Sequence, residues 1–282
     1  MPKLENIQAL RGIAVLLVLM VHIGLVEKKY SLHPILPNLV QFGMSGVDLF
    51  FVISGFIMMT ISMHRKKNIE SAFQFLYLRV VRIYPLYWFY SVLILAVTFV
   101  HPEWVNSSTQ GNSDLFKSFF LFPQNGFPLL QVGWTLIHEM YFYIGFFILL
   151  FFVRSNQALF VSAIVWGLFV LLLDGTINFL TPTLKVVFHP LTMEFIGGIL
   201  MAYAIYKFEM KFSIEIYKGL FLLSLLLVIL NYYLFDAYYE SAPFQWWRIF
   251  LFGIPAIVMV FVVVDFVQRH GAFLQILCSL TI

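Results

Sequence analysis

A histidine stands eleven positions after an arginine in the otherwise apolar run RGIAVLLVLMVH, Arg11 to His22. Imidazole titrates near neutral pH, so His22 can take a hydroxyl proton and return it as a general base, or it can be a packed histidine bonded to its surroundings. A carboxylate would orient the ring. Asp48 in GVDLFF and Glu139 in GWTLIHEMYFY are the two candidates, and spacing alone does not choose between them. Arg79 and Arg82 lie three apart in FLYLRVVRIYPLYWFY, a spacing that places them on one side of a helix, with Pro85 marking a boundary or a kink. Guanidinium forks at that spacing suit phosphate binding; they also serve as plain positive anchors at a membrane face.

Other groups read less sharply. Glu194 in HPLTMEFIGG can pair with His189 or Lys185, or line the same cavity as the other carboxylates. Trp134, Tyr141 and Tyr143 fit either an interfacial aromatic belt or a sugar-stacking surface. His138 beside Glu139 makes no zinc motif, because Phe142 rather than a histidine follows at the fourth position. With Cys278 the sole cysteine, no disulfide framework and no cysteine-rich metal site is expected. Gly197 and Gly198 suggest close helix packing.

These residues need elements to hold them, and composition names the elements. Of the 282 residues 61% are hydrophobic and 11% charged, against about 25% charged in soluble domains. Apolar stretches of spanning length recur along the chain: Ala9–Val26, Met44–Ser62, Ile83–Val100, Gly133–Val153, Ala158–Asp174, Val186–Tyr206, Gly219–Phe235 and Trp247–Val264. The expectation is an all-α polytopic transmembrane helix bundle of about eight complete spans. A partial ninth, Ala272–Ile282, is too short to cross. The first span lacks a small-residue cleavage site and is read as a retained helix. One membrane domain, residues 1–282, is expected.

Twelve of the seventeen Lys and Arg residues fall on the side shared with the N-terminus, and five, Arg248 among them, on the other. The N-terminus is therefore expected in the cytoplasm. A helical rise of about 1.5 Å per residue then puts His22 roughly 16 Å beyond Arg11, toward the outer half. Asp48, Glu139, His189 and Glu194 fall at that outer level, while Arg11, Arg79 and Arg82 are expected at the inner face. A net charge of +3 gives no reason to expect nucleic acid.

Four segments in order, IQALRGIAVLLVLMVH, GVDLFFVISGF, RVVRIYPLYW and WTLIHEMYFY, resemble the acyltransferase-3 family of bacterial membrane acyltransferases. The opening half is most similar to members that acylate exopolysaccharides. The resemblance implies an inner-membrane enzyme that moves an acyl group, commonly acetyl, from cytoplasmic acyl-CoA to a glycan hydroxyl. It implies no permanently bound cofactor and no metal. His22 would be the catalytic histidine with Arg11 its motif partner, Arg79 and Arg82 would hold the phosphates of CoA, and Asp48 and Glu139 would be the acidic motif positions. The acceptor would be a polysaccharide or lipid-linked glycan, met among membrane lipids. Family members usually carry about ten spans, so the chain is expected to be incomplete at its C-terminus. A glycan or lipid transporter, or an inactive remnant, is the competing reading.

Overall fold

The computed structural model describes residues 5–33, 35–105, 113–173, 181–208, 212–239 and 244–270, and every regular element among them is helical. The expected ninth run and Cys278 lie outside the described residues. Eight helical stretches are long and apolar enough to cross a membrane. Five of the expected spans appear with their ends extended or shifted by a few residues: α1 (Glu5–Tyr30), α2 (Ser45–Met63), α5 (Gly133–Phe152), α6 (Asn156–Leu173) and α9 (Ile214–Tyr239). The other three differ in ways that bear on the site.

The third span is one unbroken helix, α3 (Ile69–Val100), that starts fourteen residues before the expected Ile83. Asn68 caps it, accepting the Ser71 N–H on its side chain, and the helix continues through Pro85. Arg79 and Arg82 consequently lie within the span rather than ahead of it. The sixth stretch is broken into α7 (Pro182–Val187) and α8 (Thr192–Phe208). Pro190 disfavours helix at His189 and has no N–H of its own. His189 turns the break, its Nδ1 accepting the Leu191 N–H and its carbonyl the Thr192 N–H.

The eighth stretch runs as α10 (Phe244–Arg248), a π-helical turn over Ile249–Gly253, and α11 (Ile254–His270). Its irregularity has a local cause. Pro255 cannot donate to the carbonyl four residues back, that of Leu251, and the Asn231 amide of α9 donates there instead.

The chain divides into two compact units, Met1–Ile61 with Met193–Ile282, and Ser62–Thr192. In the first, α1 buries Ile7, Leu10, Ala14 and Val21 along one seam and leaves Ile13, Leu16, Leu19, Met20 and Ile23 exposed, the apolar surface a bilayer covers. Small residues set the close approaches. A Cβ at Gly46 would meet the Val18 side chain at 3.0 Å, and one at Gly43 would overlap the Leu17 carbonyl. Between α2 and α8, a Cβ at Gly55 would overlap the Phe195 carbonyl and one at Gly198 the Val52 carbonyl, so the two helices cross almost backbone to backbone.

In the second unit α5 packs against α3, α6 and α7. A short helix, α4 (Leu115–Phe119), is capped by Asp114, whose carboxyl the Lys117 N–H holds below its ordinary pKa. Three aromatic donors on one side of α3 secure the end of α4. Tyr87 Oη donates to the Ser118 carbonyl at 2.6 Å, Trp88 Nε1 to Phe119 at 2.9 Å and Tyr84 Oη to Phe120 at 2.9 Å.

Candidate active-site groups

The residues singled out from the sequence fall into two sets, one in each unit. Arg11, His22, Asp48 and Glu194 belong to the first, and Arg79, Arg82, Glu139, His138 and His189 to the second. Each set is organised by contacts of its own.

On α1, eleven residues at 100° per residue bring Arg11 and His22 to within about 20° of each other around the axis and roughly 16 Å apart along it. Both flank the buried seam, Arg11 half-buried and His22 exposed. The His22 ring is not oriented by a carboxylate. Its Nδ1 bonds to the Val18 carbonyl one turn back at 2.7 Å. A carbonyl only accepts, so Nδ1 carries a proton, and in the neutral form of the ring the lone pair is on Nε2. The helix backbone thereby does what a buried carboxylate was expected to do.

Asp48 has a different partner. Its carboxylate is 0% exposed in the first turn of α2 and is held by Arg248 in a two-pronged ion pair. Nε donates to Oδ1 and Nη2 to Oδ2, each at 2.8 Å, and Nη2 also donates to the Met44 carbonyl at 3.2 Å. Arg248, counted from the sequence among the outer-side cations, is 5% exposed and part of the core. Its sequence signal, WWR ahead of an apolar run, resembles an interfacial anchor, and nothing local points 200 residues back to Asp48. Glu194 is also 0% exposed. It pairs with neither His189 nor Lys185. Its side chain lies against Gly253, within electrostatic reach of Asp48 and Arg248, and neither carboxyl oxygen makes a hydrogen bond.

In the second unit the expected separation of inner arginines from an outer glutamate does not hold. Arg79 lies on the buried seam of α3 with Ala72, Phe75, Ile83 and Tyr87, while Arg82, one turn on, is exposed. The Arg79 guanidinium lies 5.3 Å from the Phe75 ring centre and 5.3 Å from that of Tyr143 on α5. Tyr143 in turn donates its hydroxyl to Glu139 Oε1, one turn back on α5. Arg79, Tyr143 and Glu139 therefore form one chain of contacts at mid-helix, because α3 begins early enough to carry Arg79 inward.

Of the aromatic residues expected as a belt or sugar platform, Tyr143 is buried and Trp134 and Tyr141 are half-buried. Tyr141 Oη donates to the Val187 carbonyl at 2.8 Å and accepts from Trp166 Nε1 at 3.1 Å. Trp134 packs edge-on to His138, which meets the His189 ring at 4.6 Å. No group of three or more potential metal ligands occurs among the described residues.

A family model for the acyltransferase domain (acyltransferase-3) matches residues 4–281. The chain belongs to the acyltransferase-3 family. A curated relative, the exopolysaccharide production protein ExoZ of Rhizobium meliloti (strain 1021), is 33% identical over 165 residues, 56% of this chain. The match spans about half, 50%, of that relative's length. No solved structure matches the chain. The acyltransferase-3 motifs quoted above map onto both units: the arginine–histidine helix and the buried aspartate onto the first, the arginine pair and the glutamate onto the second.

Proposed function

We propose that this multi-pass membrane protein is an O-acyltransferase of the bacterial inner membrane. It moves an acyl group, acetyl the commonest, from acyl-CoA to a hydroxyl of a surface or exported polysaccharide. Family membership supports acyl transfer, and the likeness to an exopolysaccharide production protein supports the acceptor class. The observation that carries the reading is the anchoring of His22: with Nδ1 bonded to the Val18 carbonyl, Nε2 is the nitrogen left for proton transfer on an exposed flank of α1.

In this reading Nε2 takes the proton of the acceptor hydroxyl as its oxygen attacks the thioester carbonyl. The tetrahedral adduct collapses with cleavage of the C–S bond, and the imidazolium returns the proton to the departing CoA thiolate. No net proton is gained or lost. Arg79 and Arg82 hold donor phosphates, and Arg11 lies on the His22 side of α1, toward the cytoplasmic end where the donor arrives. Asp48 keeps its place through Arg248, and Glu139 acts through Tyr143. No cofactor is needed beyond the acyl-CoA substrate.

Mass spectrometry of surface glycans from cells lacking their own acyltransferase tests this. Cells expressing the chain are expected to gain an acyl mass on one glycan, and His22→Ala at matched membrane levels is expected to abolish it. Full acylation by His22→Ala would sink the proposal. One feature favours a competing reading: the break between α7 and α8 at His189 and Pro190 is of the kind found in transporters. Movement of labelled glycan into vesicles without any acyl gain would establish that alternative.

A further inference from the structure

Arg79 is the most unusual cation in the second unit. It is 9% exposed, yet among the described residues its guanidinium makes no hydrogen bond and no ion pair. A buried, unpaired charge is costly and is retained where a partner is to arrive. Its contacts are two aromatic rings, Phe75 from its own helix one turn back and Tyr143 from α5, which themselves meet edge to face at 6.2 Å. Both rings lie within cation–π reach of the guanidinium carbon, and a ring contact uses none of its N–H donors as an ion pair would. A guanidinium carries five donors in a fixed fork, the geometry that matches the oxygens of a phosphate.

The two rings are not equivalent. Phe75 has no polar handle, whereas Tyr143 donates its hydroxyl to Glu139 Oε1. Glu139 acts electrostatically on Arg79 without forming an ion pair with it. Arg82 has none of this framework and is exposed.

We propose that Tyr143 is a positioning residue: anchored by Glu139, its ring and that of Phe75 fix the place of the Arg79 guanidinium between α3 and α5 and leave its N–H donors for a phosphate of the acyl donor. Arg79 is then the ordered half of the arginine pair and Arg82 the mobile half. This rests on acyl-CoA being the donor.

The test uses the purified chain in detergent, with CoA binding measured calorimetrically and turnover measured with acetyl-CoA and with the phosphate-free donor acetyl-pantetheine. Tyr143→Leu removes the ring and is expected to weaken CoA binding roughly tenfold, raising KM for acetyl-CoA in step. Tyr143→Phe keeps the ring, loses only the hydroxyl, and is expected to fall between Tyr143→Leu and the parent. Phe75→Leu, a second variant should Tyr143→Leu fail to fold, is expected to follow Tyr143→Leu. KM for acetyl-pantetheine is expected to be unchanged in all three. Equal losses with both donors, or unaltered CoA binding in Tyr143→Leu, would overturn the positioning role while leaving the donor assignment standing. Failure of the parent chain to bind CoA would overturn both.

Discussion

Arg248 illustrates how much one side chain can organise. Its guanidinium satisfies both oxygens of Asp48 and a backbone carbonyl in a setting with almost no water. Removing one member of such a pair leaves the other charged and buried, so Arg248→Ala is expected to destabilise the protein by about 3–5 kcal/mol. The double variant Asp48→Leu/Arg248→Met, which removes both charges and keeps the volume, is expected to recover most of that loss. Denaturation midpoints in detergent measure both, and equal destabilisation of single and double variants would contradict the pairing. At this scale the sequence was informative about which residues are chemically expensive and uninformative about their partners. Asp48 was identified because charge in a span is rare; Arg248 was passed over because tryptophan-flanked arginines at span ends are common. Tyr143 was ambiguous for a related reason, since a tyrosine in the aromatic-rich WTLIHEMYFY suits a lipid interface as well as a hydrogen bond to Glu139.

Among the elements, those defined by hydropathy alone emerged where expected, α2, α5 and α6 to within a few residues. The start of α3 did not, because Arg65, Lys66, Lys67, Arg79 and Arg82 depress the apolar signal over residues that are nevertheless helical from Ile69. The broken stretches were hidden as well: hydropathy is blind to where a backbone carbonyl loses its donor. The π-helical turn makes that loss testable. Asn231 serves the Leu251 carbonyl that Pro255 cannot, so Asn231→Leu is expected to leave a half-buried acceptor without this donor and cost about 1 kcal/mol. Pairing Asn231→Leu with Pro255→Ala restores a local N–H donor and is expected to reduce the loss. A thermal melt of the four proteins checks it, and a wild-type melting point for Asn231→Leu alone would remove the account.

For the whole molecule the side of the membrane is the first thing to establish. With a single cysteine, Cys278→Ala provides a cysteine-free background. In it Lys66→Cys, between α2 and α3, is expected to react with an impermeant maleimide only after the inner face is opened. Lys117→Cys, in the segment between α3 and α5, is expected to react in intact spheroplasts. The reverse pattern would invert the topology and with it the compartments assigned to donor and acceptor. Arg248 and Arg79 are both buried, one from each side of the count, so the excess of cations on the N-terminal side stands.

The ion pair between Asp48 and Arg248 also sets a schedule. The first unit is assembled from the two ends of the chain, with residues 62–192 made in between. Asp48 enters the membrane early, and its counter-ion is 200 residues downstream. At about 5–20 residues per second the ribosome needs roughly 10–40 s to supply it. Throughout that interval the nascent α2 carries a carboxylate without its counter-ion, and the first unit closes only when Arg248 arrives.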